Sequence, residues 1–218
     1  MVPGQIRHYQ IGDPLGSGGM GAVYKARDLN LGRDVALKLI RPDMLTDSDI
    51  LRRFRQEVEV LKDLEHSAIV PVYDFGGFEL NDEEQPSTHE PPFMVMRFMA
   101  GGTLYDRLLD GPLPLDQAAQ ILKRIASALD AMHANGLVHR DLKPRNVFFD
   151  SYGEAFLGDF GLVKSVDSAT SITGAVGTYA YMSPEQFTGS DISPRSDVYA
   201  LGGLLFTMLS GKRPYHQH

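Results

Sequence analysis

The residues best suited to chemistry lie in one eight-residue stretch of the sequence, from His139 to Asn146. It combines the carboxylate of Asp141 with two cations, Arg140 and Lys143, and with the amide of Asn146. Apolar residues flank it on both sides, so we expect a loop that is held rigidly while its polar side chains stay reachable. This density of unlike polar groups is typical of a reactive site and unusual for a packed core or a plain surface turn.

A second acidic position, Asp159, follows thirteen residues after Asn146. Two short apolar runs at 147–149 and 155–157 lie between them, separated by turn-forming residues, and this pattern predicts a β-hairpin. Such a hairpin would bring Asn146 opposite Asp159 at its base. Amide and carboxylate oxygens held together in this way suit Mg²⁺ bound to the phosphates of a nucleotide.

A glycine-rich segment, Gly16 to Val23, separates a predicted strand at 9–15 from another at 22–27. Glycines let backbone N–H groups approach phosphate oxygens without obstruction by a Cβ atom. Dinucleotide-binding folds share this spacing, but they require a helix directly after the glycines. Because residues of strand composition follow here, we favour a phosphate-covering loop between two antiparallel strands.

Lys38 lies in a row of apolar residues in a predicted strand at 34–40. If Lys38 is considered by itself, its strand could lie at the edge of a sheet and its side chain could extend into solvent. The next predicted helix, at 48–64, places Glu57 in the middle of its apolar stripe and Glu59 on the opposite face. A buried carboxylate is costly unless it is paired, so we predict that Lys38 and Glu57 pair with each other.

These motifs resemble those of protein kinases, and the resemblance extends from Tyr9 to Tyr215. It implies that Asp141 orients the substrate hydroxyl and accepts its proton, while Lys143 steadies the γ-phosphate of ATP. The lysine two residues after the catalytic aspartate resembles the serine/threonine subgroup, and the segment 177–185 resembles bacterial members of that subgroup.

The resemblance implies further roles for the other motif residues. Asn146 and Asp159 would hold Mg²⁺ or Mn²⁺, and Lys38, held by Glu57, would grip the α and β phosphates. Asp197 would brace the backbone of the catalytic loop.

The same resemblance implies a hinge in a predicted strand at 93–99 that binds adenine. Met96 would lie beside the base, and the backbone of Arg97 and Met99 would read its edge. Arg97 stands where the family commonly has an acidic residue, so contacts with the ribose would differ. The complete expected ATP site is Gly16, Ser17, Gly18, Gly19, Met20, Gly21, Val23, Ala36, Lys38, Met96, Arg97, Met99 and Phe148.

Residues 159–185 are rich in Ser, Thr, Gly and Ala, so this segment can bury little and should be mobile. Arg140 and Lys164 are two cations that could bind a phosphate on it, and we predict Ser171 or Thr173 as the phosphorylated residue. The alternative is an ordinary flexible loop. Thr178 belongs to the segment that, by resemblance, docks the substrate.

The resemblance implies an α+β, two-lobed, protein-kinase-like fold. An N-lobe at residues 1–97 would hold a small antiparallel sheet and one helix, and a mainly helical C-lobe would occupy 98–218. The last predicted helix, at 194–209, is apolar around its whole circumference, and the family adds further helices after it. We therefore expect a C-lobe without its last helices. Either the chain is part of a longer protein, or self-association or a partner covers the exposed face.

Composition narrows the class of protein. With 43% hydrophobic residues in 218, the chain can form a sizeable core, and without cysteine it has no disulfide or thiolate metal site. A net charge of −7 does not favour nucleic acid, and no apolar run is long enough to cross a membrane. We expect a cytoplasmic protein, with a membrane-anchored parent protein left open.

The expected function is transfer of the γ-phosphoryl group of ATP to Ser or Thr hydroxyls of proteins, including the chain's own activation loop. Two alternatives stay open at this point. One is a catalytically silent nucleotide-binding or docking module, which usually lacks the counterparts of Lys38, Asp141 or Asp159. The other is a fragment that does not fold cooperatively.

Overall fold

The computed structural model describes residues 4–18, 21–41, 48–77, 91–159, 179–189 and 192–215. The chain divides into two compact units, residues 1–65 with 70–98 and residues 66–69 with 99–218. The domain boundary expected between residues 97 and 98 stays a prediction, because a domain is a unit that folds by itself.

An antiparallel sheet of six strands is the main element of the first unit, with strand order β1-β2-β3-β4-β6-β5. One helix, α1 (Ser48–Asp63), accompanies it in the described part of this unit. The strands are β1 (Gln5–Ile6), β2 (Tyr9–Gly18), β3 (Gly21–Asp28), β4 (Arg33–Ile40), β5 (Val72–Gly76) and β6 (Phe93–Arg97).

The period of two along β4 gives its two faces different environments. Val35 and Leu37 are fully buried in a cluster with Phe93 and Val95 of β6. On the other face, Ala36 and Lys38 are each only 7% exposed. A lysine this deeply buried in the middle of a sheet is not an edge-strand lysine that reaches solvent.

The second unit is mainly helical. A short hairpin of β7 (Val147–Phe149) and β8 (Ala155–Leu157) lies within it. The helices are α2 (Leu104–Arg107), α3 (Leu115–Ala134), α4 (Pro184–Thr188) and α5 (Pro194–Ser210). None of the helices in the described segments combines the length and the apolar character that crossing a membrane requires.

Helix α3 buries apolar residues that recur with the 3.6-residue helical period, including Ile125 and Leu129. Its Arg124 donates to the carbonyl oxygen of Ser67 at 2.6 Å and to that of Ala155 at 2.9 Å. These two bonds fix α3 against the hairpin.

One predicted strand begins later than expected. The sequence pattern at 66–74 predicts a strand after a turn, but β5 begins only at Val72. Residues 66–69 belong instead to the second unit, where His66 accepts from the N–H of Ala68 and hydrogen-bonds Ser127 on α3. No acidic or metal-ligating residue accompanies His66 in its predicted strand, so the sequence predicts a structural role, and these contacts agree with it.

Candidate active site

The catalytic loop predicted around Asp141 is held together by its own side chains. Lys143 Nζ lies 2.8 Å from Asp141 Oδ2, and the two side chains are 20% and 9% exposed. The Asn146 amide nitrogen donates to the Asp141 carbonyl oxygen at 2.7 Å and to its Oδ2 at 3.1 Å. The structure thus brings together three of the four polar side chains that the sequence singled out.

Asp197 fixes this loop from the first turn of α5, and it is only 1% exposed. Its Oδ2 accepts from the N–H of His139 at 2.8 Å, and its Oδ1 accepts from the N–H of Arg140 at 2.9 Å. His133, in the last turn of α3, places its Nε2 2.8 Å from Oδ2. The expectation that Asp197 braces the loop backbone is confirmed.

The backbone at Arg140 has a conformation that L-residues seldom adopt, with φ of +64°. In this conformation, the successive N–H groups of His139 and Arg140 both donate to the Asp197 carboxylate. From the other side, Gln186 of α4 donates to the Arg140 carbonyl oxygen at 2.8 Å. The peptide groups before and after Arg140 are therefore held by two different helices.

His139 is fully buried, and burial lowers the pKa of its imidazole although the nearby Asp197 and Asp141 carboxylates oppose this. Its Nδ1 accepts from the N–H of Asp141 at 3.3 Å, and its Nε2 lies 3.2 Å from the Gly158 carbonyl oxygen. Both contacts suit a neutral ring that is protonated on Nε2. His139 thus shapes the loop as an uncharged residue.

The β7–β8 hairpin brings the two expected metal ligands together at its base, as predicted. The Asn146 carbonyl accepts from the N–H of Gly158 at 3.0 Å, and the Asn146 amide nitrogen lies 3.4 Å from the Asp159 carbonyl oxygen. Because that nitrogen donates to Asp141, the side-chain oxygen of Asn146 is the atom left for a cation. Amide and carboxylate oxygens, the ligand types that Asn146 and Asp159 carry, fit Mg²⁺ or Mn²⁺.

No group of three or more His, Cys, Asp or Glu residues that could hold a metal occurs in the described part of the chain. An ion at Asn146 and Asp159 would therefore need further oxygen ligands from phosphates or water. That requirement is typical of magnesium sites that bind a metal together with a nucleotide.

In the first unit, the expected phosphate-covering loop connects two antiparallel strands. Gly16 lies opposite Val23, and Gly18 lies opposite Gly21. Gly21 has φ of +151°, and a Cβ atom there would collide with the carbonyl oxygen of Leu39. Only glycine fits that position. Ser17 lies on the same strand, whereas Gly19 and Met20 fall outside the described residues.

Lys38 lies opposite Val23 on one side and Met94 on the other, inside this sheet. Glu57 is half-buried on α1 next to the fully buried Val58, whereas Glu59 is 50% exposed and pairs with Arg55 at 3.1 Å. The two faces of α1 thus agree with the sequence pattern. The pairing of Lys38 with Glu57 stays a prediction.

The predicted adenine-reading residues lie at the end of β6 and just beyond it. Met96 is opposite Ala36, and the N–H of Arg97 donates to the Pro71 carbonyl oxygen at 3.0 Å. The Arg97 backbone could therefore meet adenine only through its carbonyl oxygen. Met99 begins the second unit, and Phe148 is the half-buried central residue of β7.

Several predicted residues cannot be placed. Lys164, Ser171, Thr173 and Thr178 lie outside the described residues, so their regulatory and docking roles stay predictions. Conversely, sequence reasoning missed His133 and Gln186. The Ser183–Gln186 spacing is a capping-box signature that could have marked a helix start, but it carries no sign of the contact with Arg140.

Comparison with known proteins gives a match over nearly the whole chain. The family model described as "Protein kinase domain" matches residues 9–218. Serine/threonine-protein kinase PknB of Mycobacterium leprae is 40% identical over 211 residues, which cover 95% of this chain and 33% of that protein. Serine/threonine-protein kinase pkn2 of Myxococcus xanthus is 40% identical over 210 residues, which cover 93% of this chain and 24% of that protein. The chain therefore spans about a third or less of the length of these relatives.

Proposed function

Because the chain belongs to the protein kinase domain family, we propose that it transfers the γ-phosphoryl group of ATP to Ser or Thr hydroxyls of proteins. One observation carries this proposal. The Asp141 carboxylate is paired with Lys143, contacted by the Asn146 amide and held on a loop whose backbone is bound by the buried Asp197. Such prior positioning is the main contribution that a protein makes to phosphoryl transfer.

In this reaction, a bond forms between the substrate hydroxyl oxygen and the γ-phosphorus, and the bond from phosphorus to the β–γ bridging oxygen breaks. ADP leaves, and the hydroxyl proton passes to the Asp141 carboxylate. Lys143 offsets the negative charge near that carboxylate. Asn146 and Asp159 would hold Mg²⁺ or Mn²⁺, which neutralises charge on the phosphate oxygens when it is bound.

On the nucleotide side, Lys38 would contact the α and β phosphates, and the N–H groups of the Gly16–Gly21 segment would cover them. The burial of Lys38 at 7% exposure supports this assignment, because a cation so deeply buried needs anionic partners.

The regulatory part of the proposal concerns the activation segment. The chain would phosphorylate its own Ser171 or Thr173, and Arg140 with Lys164 would bind the resulting phosphate. Thr178 would contact the protein substrate.

We further propose a cytoplasmic setting and self-association, or binding of a partner, through the exposed apolar face of α5. Val198, Phe206 and Leu209 are 61%, 50% and 42% exposed on that face. Large apolar side chains exposed together on one helix face favour contact with another protein surface.

The test compares transfer of labelled γ-phosphate from Mg·ATP to a generic Ser/Thr protein substrate and to the chain itself. Asp141→Asn keeps the shape of the side chain but removes the proton acceptor, so we expect activity to fall at least about a hundredfold. Asp130→Asn, at an exposed position on α3, is the matched control and should keep wild-type activity.

Each outcome of this experiment has a distinct meaning. Equal activity in wild type and Asp141→Asn would contradict the proposed role of Asp141. Binding of Mg·ATP without transfer in the wild type would favour the silent nucleotide-binding module. Loss of a cooperative unfolding transition would indicate a chain that does not fold alone.

A further inference from the structure

Arg145 is an exposed cation within the catalytic loop itself. It lies on the short 3₁₀ turn Pro144–Asn146, directly before Asn146 and two residues after Lys143. Pro144 and Asn146 are buried, whereas Arg145 is exposed. Its backbone is therefore fixed by buried neighbours while its side chain faces solvent.

The side chain of Arg145 is also held in place. Its guanidinium carbon lies 3.6 Å from the centre of the Tyr105 ring, which α2 supplies. A stacked guanidinium keeps its N–H groups at its edges available to a planar anion. It also loses less conformational entropy on binding than a freely moving lysine or arginine would.

The positive charge of Arg145 is not neutralised by an ion pair with any residue in the described segments. Lys143 of the same loop is paired with Asp141, and Arg124 of α3 is paired with Glu154 at 2.9 Å. Asp106, which follows Tyr105 on α2, accepts instead from the N–H and hydroxyl of Thr103 at 2.9 and 2.7 Å. Arg145 thus presents an oriented, uncompensated cation beside the reactive loop.

Arg145 lies four residues after Asp141 on the same loop, so we expect its side chain to meet a bound substrate. Its neighbour Asn146 contacts the Asp141 carboxylate at 3.1 Å, and adjacent Cα atoms are about 3.8 Å apart. A substrate segment in extended conformation advances about 3.3 Å per residue. With the acceptor hydroxyl at Asp141, the guanidinium of Arg145 is therefore within reach of side chains about two to four residues away.

We propose that Arg145 is a specificity-determining residue that selects substrates with an Asp or Glu side chain about two to four residues from the acceptor Ser or Thr. This inference rests on the proposed kinase function and adds its substrate class. A carboxylate at that distance can bind the guanidinium edge with two parallel hydrogen bonds, whereas a Lys or Arg there is repelled.

The test uses peptides with one acceptor Ser in a neutral background and Mg·ATP. Asp, Ala or Lys is placed in turn at each position up to four residues on either side of the acceptor. The measured quantity is kcat/KM for each peptide, and the deciding value is the ratio between the Asp and Lys peptides at each position. Using a ratio within each variant removes differences in total activity between variants.

We expect the wild type to favour Asp over Lys by about fivefold or more at one position or more, since an exposed charge pair is worth up to about fivefold and repulsion of the like charge adds to the ratio. Arg145→Glu should invert the ratio, and Arg145→Lys should keep its direction at a reduced size. Lys123→Glu makes the same change of sign at an exposed site on α3 and should keep the wild-type ratio. High salt should shrink the ratio.

Efficient transfer with ratios near one at every position would overturn the inference and leave the kinase function intact. A wild-type preference that Arg145→Glu leaves unchanged would overturn it as well. Absence of transfer to every peptide and to the chain itself would instead contradict the proposed function, and the inference would fail with it.

Discussion

At the scale of single residues, the Asp197 carboxylate supports the loop of the candidate active site. It is almost completely buried, yet it accepts two backbone N–H groups and contacts the imidazole of His133. Burial of a charge is tolerable only where such partners replace water. We therefore expect the removal of this one side chain to affect both stability and the proposed catalysis.

We predict that Asp197→Ala lowers the free energy of unfolding by about 3 kcal/mol, because it leaves the N–H groups of His139 and Arg140 buried without an acceptor. Phosphoryl transfer should fall with it, since the loop that carries Asp141 loses its support. Urea denaturation and the transfer assay measure the two effects. Asp130→Ala, on the exposed side of α3, should change the stability by less than about 0.5 kcal/mol. Equal effects of the two substitutions would contradict the assigned role.

His139 gives a prediction about pH. Burial lowers the pKa of its imidazole in the folded state, whereas a histidine in the unfolded chain has a pKa of about 6.5. Below that pH the unfolded state binds more protons, so this contribution to stability is complete above about pH 6.5 and is lost as the pH falls. The expected loss has a limiting slope of about 1.4 kcal/mol per pH unit.

Unfolding free energies measured between pH 5 and 8 test this prediction. His139→Gln, which cannot take up a proton, should be less stable at neutral pH but should show a smaller decline below about pH 6.5. The same slope in both proteins would show that the buried imidazole does not govern the decline.

At the scale of elements, close approaches of backbone decide which glycines are required. Gly101 lies three residues before α2, and its N–H donates to the Phe149 carbonyl oxygen at 2.8 Å. A Cβ atom there would collide with the Asp150 carbonyl oxygen. Gly202 lies in the interior of α5, and a Cβ atom there would meet nothing within 4 Å.

These two glycines form a matched pair for a stability experiment. We expect Gly101→Ala to lower the free energy of unfolding by about 1–3 kcal/mol, because α2 must move away from β7. Gly202→Ala should raise it by about 0.5–1 kcal/mol, because alanine favours a helix over glycine and has room there. Thermal or urea unfolding of both variants measures the difference, and effects of the same sign would refute this account of the elements.

At the scale of the whole molecule, we expect the exposed apolar surface on α5 to affect behaviour in solution. Val198, Phe206 and Leu209 lie on one face of the helix, and all three are more than two-fifths exposed. The sequence pattern predicted this face, because α5 is apolar around its whole circumference. Exposure of apolar side chains to water is unfavourable, so we expect association that buries this surface.

We predict that the chain associates as its concentration rises, and that Phe206→Glu combined with Leu209→Glu shifts it toward the monomer. Sedimentation velocity over a range of concentrations measures this effect. Leu109→Glu, at a residue that is 69% exposed outside α5, is the control and should leave the association unchanged. A wild-type chain that stays monomeric at all concentrations would count against the proposed role of the α5 face.

Some of these conclusions were determined by the sequence alone. The motifs around Asp141, Asp159 and Lys38 predicted the family and the α+β fold class, and the family match over residues 9–218 confirms both. They also predicted the enzyme class of a protein serine/threonine kinase, which stays a proposal. Apolar periods of 2 and 3.6 also located the main strands and helices, including the hairpin at 147–157. Such information is local, because it depends on residues only a few positions apart. The roles of the individual site residues remain predictions.

Tertiary structure decided what depends on packing between distant residues. His139 and Asp197 are 58 positions apart, and no spacing rule indicates that one carboxylate binds two successive loop N–H groups and His133. The contact between Gln186 and the Arg140 carbonyl, and the stacking of Arg145 on Tyr105, are likewise invisible to periodicity. A hydrogen bond or a stacked ring needs atoms placed to within a few tenths of an ångström, and only the packed chain fixes distances that closely.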